Sequence, residues 1–151
     1  MPTHDEVKQV LVIRRDVGMR RGKEIAQGSH AAAEFLIRRV LRAANASWPI
    51  EGTVSIWEAL QITQEQRTWM ESGMTTKVVL QAKDEAELLE VERLCKEAGV
   101  EVFLIQDAGL TATGEGLKGV PTYTALGIGP TKAHDIDRIT GPDGIHPLKL
   151  Y

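Results

Sequence analysis

The sequence predicts an α/β domain, and three observations carry that expectation. Short apolar runs rich in Val and Ile alternate with segments whose apolar residues recur at the helical period. The breaks between them are Gly and Pro residues, without a long low-complexity linker or an internal repeat. At 151 residues the chain is long enough to bury a core of its own, so residues 1–151 are expected to form one domain.

Each element follows in order. VKQVLVI (7–13) is a buried strand, closed by Arg14-Arg15-Asp16 and a turn marked by Gly18 and Gly22. Lys23 to Ala44 has a helical pattern. Its expected core stripe is Ile25, Ala32, Leu36 and Val40, with Ala33 and Ile37 beside it. NASWPIEGT (45–53) is a connection, and SIWEALQITQEQRTWMESG (55–73) is helical with an interruption at Ile62-Thr63. KVVLQA (77–82) is the second strand. DEAELLEVERLCKEAG (84–99) is a helix with Asp84 as N-cap and Gly99 at C′. VEVFLIQDAG (100–109) supplies the third strand and TYTALGIG (122–129) the fourth. Pro130 is expected to start a last helix through IDRI, before an irregular tail, GPDGIHPLKLY. The result is four strands flanked by helices.

Composition narrows the function classes. Hydrophobic residues make up 42% and charged residues 26%, ordinary for a globular protein, and no apolar run approaches a membrane span of about 18 residues. The first residues, MPTHDEVK, carry no apolar region of a secretory signal. Cys95 is the only cysteine, which excludes an internal disulfide and a multi-cysteine zinc site, so a cytoplasmic setting is expected. The net charge of −3 is unevenly spread: residues 1–50 hold nine Lys/Arg against five Asp/Glu, the remainder nine against sixteen. Arg14, Arg15, Arg20, Arg21, Lys23, Arg38, Arg39 and Arg42 make the basic part, which suits a polyanion or a solvated surface.

Three constellations could carry chemistry. Lys23, Gln27 and His30 stand at i, i+4 and i+7 and share one helix face, with Glu34 continuing the row. A mid-helix Gly28 costs about 0.8–1 kcal/mol relative to Ala, and close approach of another backbone or a ligand is one reason to keep it. In QDAGLT (106–111), Asp107 closes a strand where open α/β sheets place ligands. It could be a general base, an acceptor that orients one, or a turn residue. ALGIGP could cradle a phosphate or simply permit a tight turn, and it lacks the known glycine-rich phosphate fingerprints. His4, His134 and His146 have no metal-ligand spacing, and Cys95 falls on the apolar face of its helix.

Taken together, VLVIRRDVGMRRGKEIAQGSHAA, KVVLQA, LIQDAGLT, TALGIGP, IDRITG and LKLY resemble, in order, the type 2 peptidyl-tRNA hydrolases. The resemblance covers most of the chain outside 45–75, a helical connection longer than the family's usual one. It implies a four-stranded mixed sheet, a homodimer, and hydrolysis of the ester between a peptide and tRNA by water, with no metal and no cofactor. It places Lys23, His30, Asp107, Thr111 and Thr124 in the catalytic site. In that reading Asp107 positions or deprotonates the water with help from His30, while Lys23 and Thr111 or Thr124 stabilise the oxyanion. Arg14, Arg15, Arg20 and Arg21 hold the phosphates of the substrate, peptidyl-tRNA. Arg21 stands where the family usually has lysine, and Leu110 where it usually has a basic residue. The alternatives are a non-catalytic RNA- or protein-binding module on the same fold, and a nucleotide-binding domain using ALGIGP.

Overall fold

β1 (Val7–Arg14) lies inside the sheet because both of its faces are apolar: Val10 and Val12 point one way, Leu11 and Ile13 the other, and all four are buried. The computed structural model describes residues 6–46, 55–109 and 119–151. Four further strands follow: β2 (Lys77–Ala82), β3 (Val102–Asp107), β4 (Thr122–Lys132) and β5 (Lys149–Leu150). Their order across the sheet is β3-β4-β1-β2-β5. β1 and β2 run parallel, and the other three pairings are antiparallel, so the sheet is mixed.

Among the described residues five strands replace the four expected. The fifth is only two residues long, pairing Leu150 with Leu80 and Lys149 with Gln81, and so short a run leaves no period for sequence to reveal.

One face of the sheet is covered by α4 (Glu85–Glu97) and α5 (Ala133–Thr140). Val10, Val12, Leu80, Leu88, Val91, Cys95, Leu126, Ile128, Ile136 and Ile139 form the core there. Asp84 caps α4 by accepting from the Glu87 N–H at 2.8 Å, and Gly99 takes a φ of +70° just past its end, as expected. Pro130 does not start a helix: β4 continues through it to Lys132, and α5 begins at Ala133.

The other face carries α1 (Arg21–Ala44), and here the expected stripe is wrong. The helix buries Gln27, Ala31, Phe35 and Arg39, while Ile25, Leu36, Ile37 and Val40 are exposed. The seat is set by contact with backbone. A Cβ on Gly127 of β4 would lie 2.1 Å from the Ala31 carbonyl oxygen, so only glycine admits the helix this close. Gln9 of β1 then donates to the Ala32 carbonyl at 2.9 Å. Arg39 is tolerated inside because Glu101 receives its guanidinium on both oxygens, at 2.5 and 3.0 Å. The 55–73 segment splits, as its Ile62-Thr63 interruption suggested, into α2 (Ile56–Ala59) and α3 (Gln64–Glu71). Trp69 of α3 meets Phe35 edge-on with ring centres 6.0 Å apart, covering the far end of α1.

Candidate active site

The first turns of α1 hang over the carboxyl end of β3. Lys23 and Gln27, one turn apart on the same face, both reach Asp107, the last residue of that strand. The Lys23 Nζ donates to Asp107 Oδ1 at 2.7 Å, and the Gln27 Nε2 approaches the same oxygen at 3.4 Å. Oδ2 accepts from the Gly109 N–H at 3.1 Å, closing an Asx turn. Gly109 has a φ of +78°, and a Cβ there would stand 2.8 Å from the Val120 nitrogen, so a side chain is excluded.

Thr124 enters through an irregularity of the sheet. Along β3 the partners of Ile105 and Gln106 are Ala125 and Tyr123, so Thr124 is skipped and forms a bulge in β4. Regular alternation would send Thr124 to the face opposite Ala125; the bulge turns it toward α1 instead. Its hydroxyl, fully buried, donates to Gln27 Oε1. That bond fixes which end of the amide is the acceptor, and so aims Nε2 at Asp107. Lys23 and Asp107 keep only 15% and 11% of their side-chain surface, which weakens screening by water between them.

Of the five catalytic candidates, the structure thus unites Lys23, Asp107 and Thr124, the last through Gln27. His30 is exposed and takes no part in the hydrogen bonds of this cluster. It lines a neighbouring cavity of about 250 Å³ with Glu34, Leu104, Ile105 and Gln106. Thr111 lies outside the described residues, as do Leu110 and His4. Gln27 is the residue missing from the candidate set, though its i+4 spacing from Lys23 was the signal that could have included it.

The four arginines are differently engaged. Arg14 is largely buried, held by Asp16 at 2.7 and 3.0 Å, by Glu85 at 2.8 Å and by the Tyr123 carbonyl at 3.1 Å. Arg15 bonds Glu24 at 3.1 Å and the Tyr151 hydroxyl, and its guanidinium stacks 4.4 Å from the Tyr151 ring centre. Arg20 and Arg21 are exposed at the helix start. ALGIGP is spent on packing, since Gly127 seats α1. Burial pushes the Cys95 thiol up to about 12, against any nucleophilic use. Among the described residues no group of three His, Cys, Asp or Glu is placed to share a metal ion, and no helix is long and apolar enough to cross a membrane.

Comparison with known proteins supplies an independent line. A family profile described as Peptidyl-tRNA hydrolase PTH2 matches residues 7–143. The chain is 40% identical over 134 residues to a peptidyl-tRNA hydrolase of Methanopyrus kandleri, covering 89% of this chain and 93% of that protein. It is 34% identical over 152 residues to the peptidyl-tRNA hydrolase of Aeropyrum pernix, covering 99% of each. It is also 36% identical over 148 residues to the Bos taurus protein named peptidyl-tRNA hydrolase 2, mitochondrial, covering 97% of this chain and 65% of that one.

Proposed function

Because the chain belongs to the Peptidyl-tRNA hydrolase PTH2 family, its activity is the hydrolysis of peptidyl-tRNA, and we propose that the Lys23–Asp107 pair carries the reaction. The observation that supports this reading is the 2.7 Å contact between a strand-end carboxylate and an ammonium, with a buried Gln27–Thr124 relay behind it. Asp107 accepts one proton of a water molecule and aims its oxygen at the ester carbonyl carbon. As the C–O bond forms, negative charge gathers on the carbonyl oxygen, beside the Lys23 ammonium. Collapse breaks the bond to the ribose, and the departing oxygen takes the proton from Asp107. The products are a free peptide acid and tRNA. Gln27 and Thr124 act as positioning residues, and His30, one turn beyond, lines the approach to the ester.

Arg15, Arg20 and Arg21 are the phosphate contacts of this reading, with Arg14 as the frame that holds their corner. Such contacts position the acceptor backbone without reading its sequence. Purified protein incubated with N-acetylaminoacyl-tRNA should release free tRNA, and binding without release would instead support a non-catalytic module. Asp107→Asn should slow the release by about 10²–10⁴ while leaving tRNA binding intact.

The working unit of the reading is a homodimer in the cytoplasm. The dimer is supported by the exposed apolar residues Ile25, Leu36 and Val40 of α1, the first of which lines a groove of about 520 Å³ together with Leu11, Ile13 and Val79. A monomeric mass in sedimentation equilibrium at micromolar concentration would remove it.

A further inference from the structure

Among the described residues β3 is an edge strand: it pairs with β4 on one side only. The Gly129 N–H donates to the Glu101 carbonyl at 2.9 Å, which fixes the alternation along this antiparallel pair. Glu101, Phe103 and Ile105 therefore turn their backbone groups inward to β4, while Val102 and Leu104 turn N–H and C=O outward. Among the described residues, nothing bonds those outward groups. Edge strands are ordinarily blunted by lysine, proline or shortness. The opposite edge obeys this, with a two-residue strand that carries Lys149. VFLIQD has neither lysine nor proline, and its one charge is Asp107 itself.

We propose that this free edge is the docking site for the peptide of the substrate, which adds to β3 as a further strand. The inference rests on the hydrolase reading and extends it to the acyl side of the ester. Continuity favours the peptide over other occupants. β3 ends at Asp107, where the ester is cleaved, so a peptide esterified there runs back along the strand toward Val102. Both chains then finish at the same end, and the pairing is parallel. The cavity lined by His30, Glu34 and Gln106 lies along this path and offers a polar wall. Chemistry favours it as well: main-chain groups, which every peptide presents, are what an open strand edge can pair with. Leu104 lies three residues before Asp107, about 10 Å along the strand, so it meets the peptide near the third residue from the ester.

The test compares N-acetylaminoacyl-tRNA with hexapeptidyl-tRNA on the full chain. The longer peptide should lower KM by about five- to twenty-five-fold, roughly fivefold for each added backbone hydrogen bond. N-methylation of single peptide bonds should remove that gain at alternate positions and spare those between, because only every second N–H faces β3. Leu104→Pro, which deletes an edge-facing N–H without touching the β4 ladder, should remove the gain too and leave N-acetylaminoacyl-tRNA hydrolysis unchanged. Equal KM for both substrates, or N-methyl effects without alternation, would overturn the proposal, and the substrate arm does so without depending on how the variant folds. If Leu104→Pro alters the oligomeric state and not the length dependence, the edge belongs to a second copy and the proposal also falls. Failure to hydrolyse either substrate would count against the hydrolase reading itself.

Discussion

The Lys23 ammonium stands 2.7 Å from Asp107 Oδ1, although 84 positions separate the two residues along the chain. The pair is nearly closed to solvent, so neither side chain can be removed without leaving the other exposed to a changed field. A first prediction follows. Asp107→Asn should lower kcat by about 10²–10⁴, the range for a positioned proton acceptor. Lys23→Met should lower it by about 10²–10³, as for loss of an oxyanion partner. The double variant should fall well short of the product of the two, because they act as one unit. Initial rates with N-acetylaminoacyl-tRNA decide this, and fully multiplicative losses would separate the two roles.

Gln27 connects stability to rate. Gln27→Leu strands the buried Thr124 hydroxyl without its acceptor, which should cost about 1–3 kcal/mol in urea unfolding. It also frees Asp107 to rotate, so kcat should drop about tenfold while KM holds, a positioning effect of the kind misplacement produces. Adding Thr124→Val should restore stability, since donor and acceptor are then both gone, but not the rate. Recovery of rate in the double variant would mean that Gln27 acts only on the fold.

What the sequence could reveal of this site depended on whether the contact was local. The Lys23–Gln27 spacing is a property of one helix and was readable. That Asp107 ends a strand was readable too, but its meeting with Lys23 depends on β3 lying beside β4 under α1, which no spacing encodes. The bulge that turns Thr124 toward Gln27 has no signature in TYTA. The α1 stripe misled for a related reason: apolar period reports which face could be buried, whereas burial went to the face holding Ala31, opposite Gly127. Gln27 and Arg39 were carried inside because Thr124, Asp107 and Glu101 were there to satisfy them. The alternation of strands and helices was legible throughout, apart from a fifth strand too short to carry a pattern.

Two glycines at the seat of α1, one in the sheet and one in the helix, should behave oppositely. Gly127→Ala drives a methyl against the Ala31 carbonyl and must lift the helix, costing about 1–3 kcal/mol or more and slowing catalysis by shifting Lys23. Gly28→Ala meets only the Ile13 Cδ1 at 3.7 Å, an ordinary contact, and should stabilise the helix by up to about 1 kcal/mol. Thermal unfolding of the pair checks the seat of α1. A mild Gly127→Ala would show that the helix is held elsewhere.

The C-terminal segment is anchored by a carboxylate, and its hold should depend on pH. Glu87 accepts from the Lys83 N–H at 2.6 Å and contacts His146 Nε2 at 3.0 Å. Burial pushes its carboxyl up, but the Lys83 N–H and His146 together outweigh that and hold it below the ordinary carboxylate value. A carboxyl depressed in the folded state stabilises the fold above its unfolded pKa, and that contribution fades as pH falls through the folded value. At pH 7, therefore, Glu87→Gln should be less stable than the parent chain. The difference should shrink below about pH 4.5 and vanish once the parent carboxyl is protonated, since glutamine then resembles it. Urea unfolding of both proteins between pH 7 and pH 3 isolates this residue, because every other titrating group is common to the two. A difference that stays constant across the range would mean that Glu87 holds the tail by shape and not by charge.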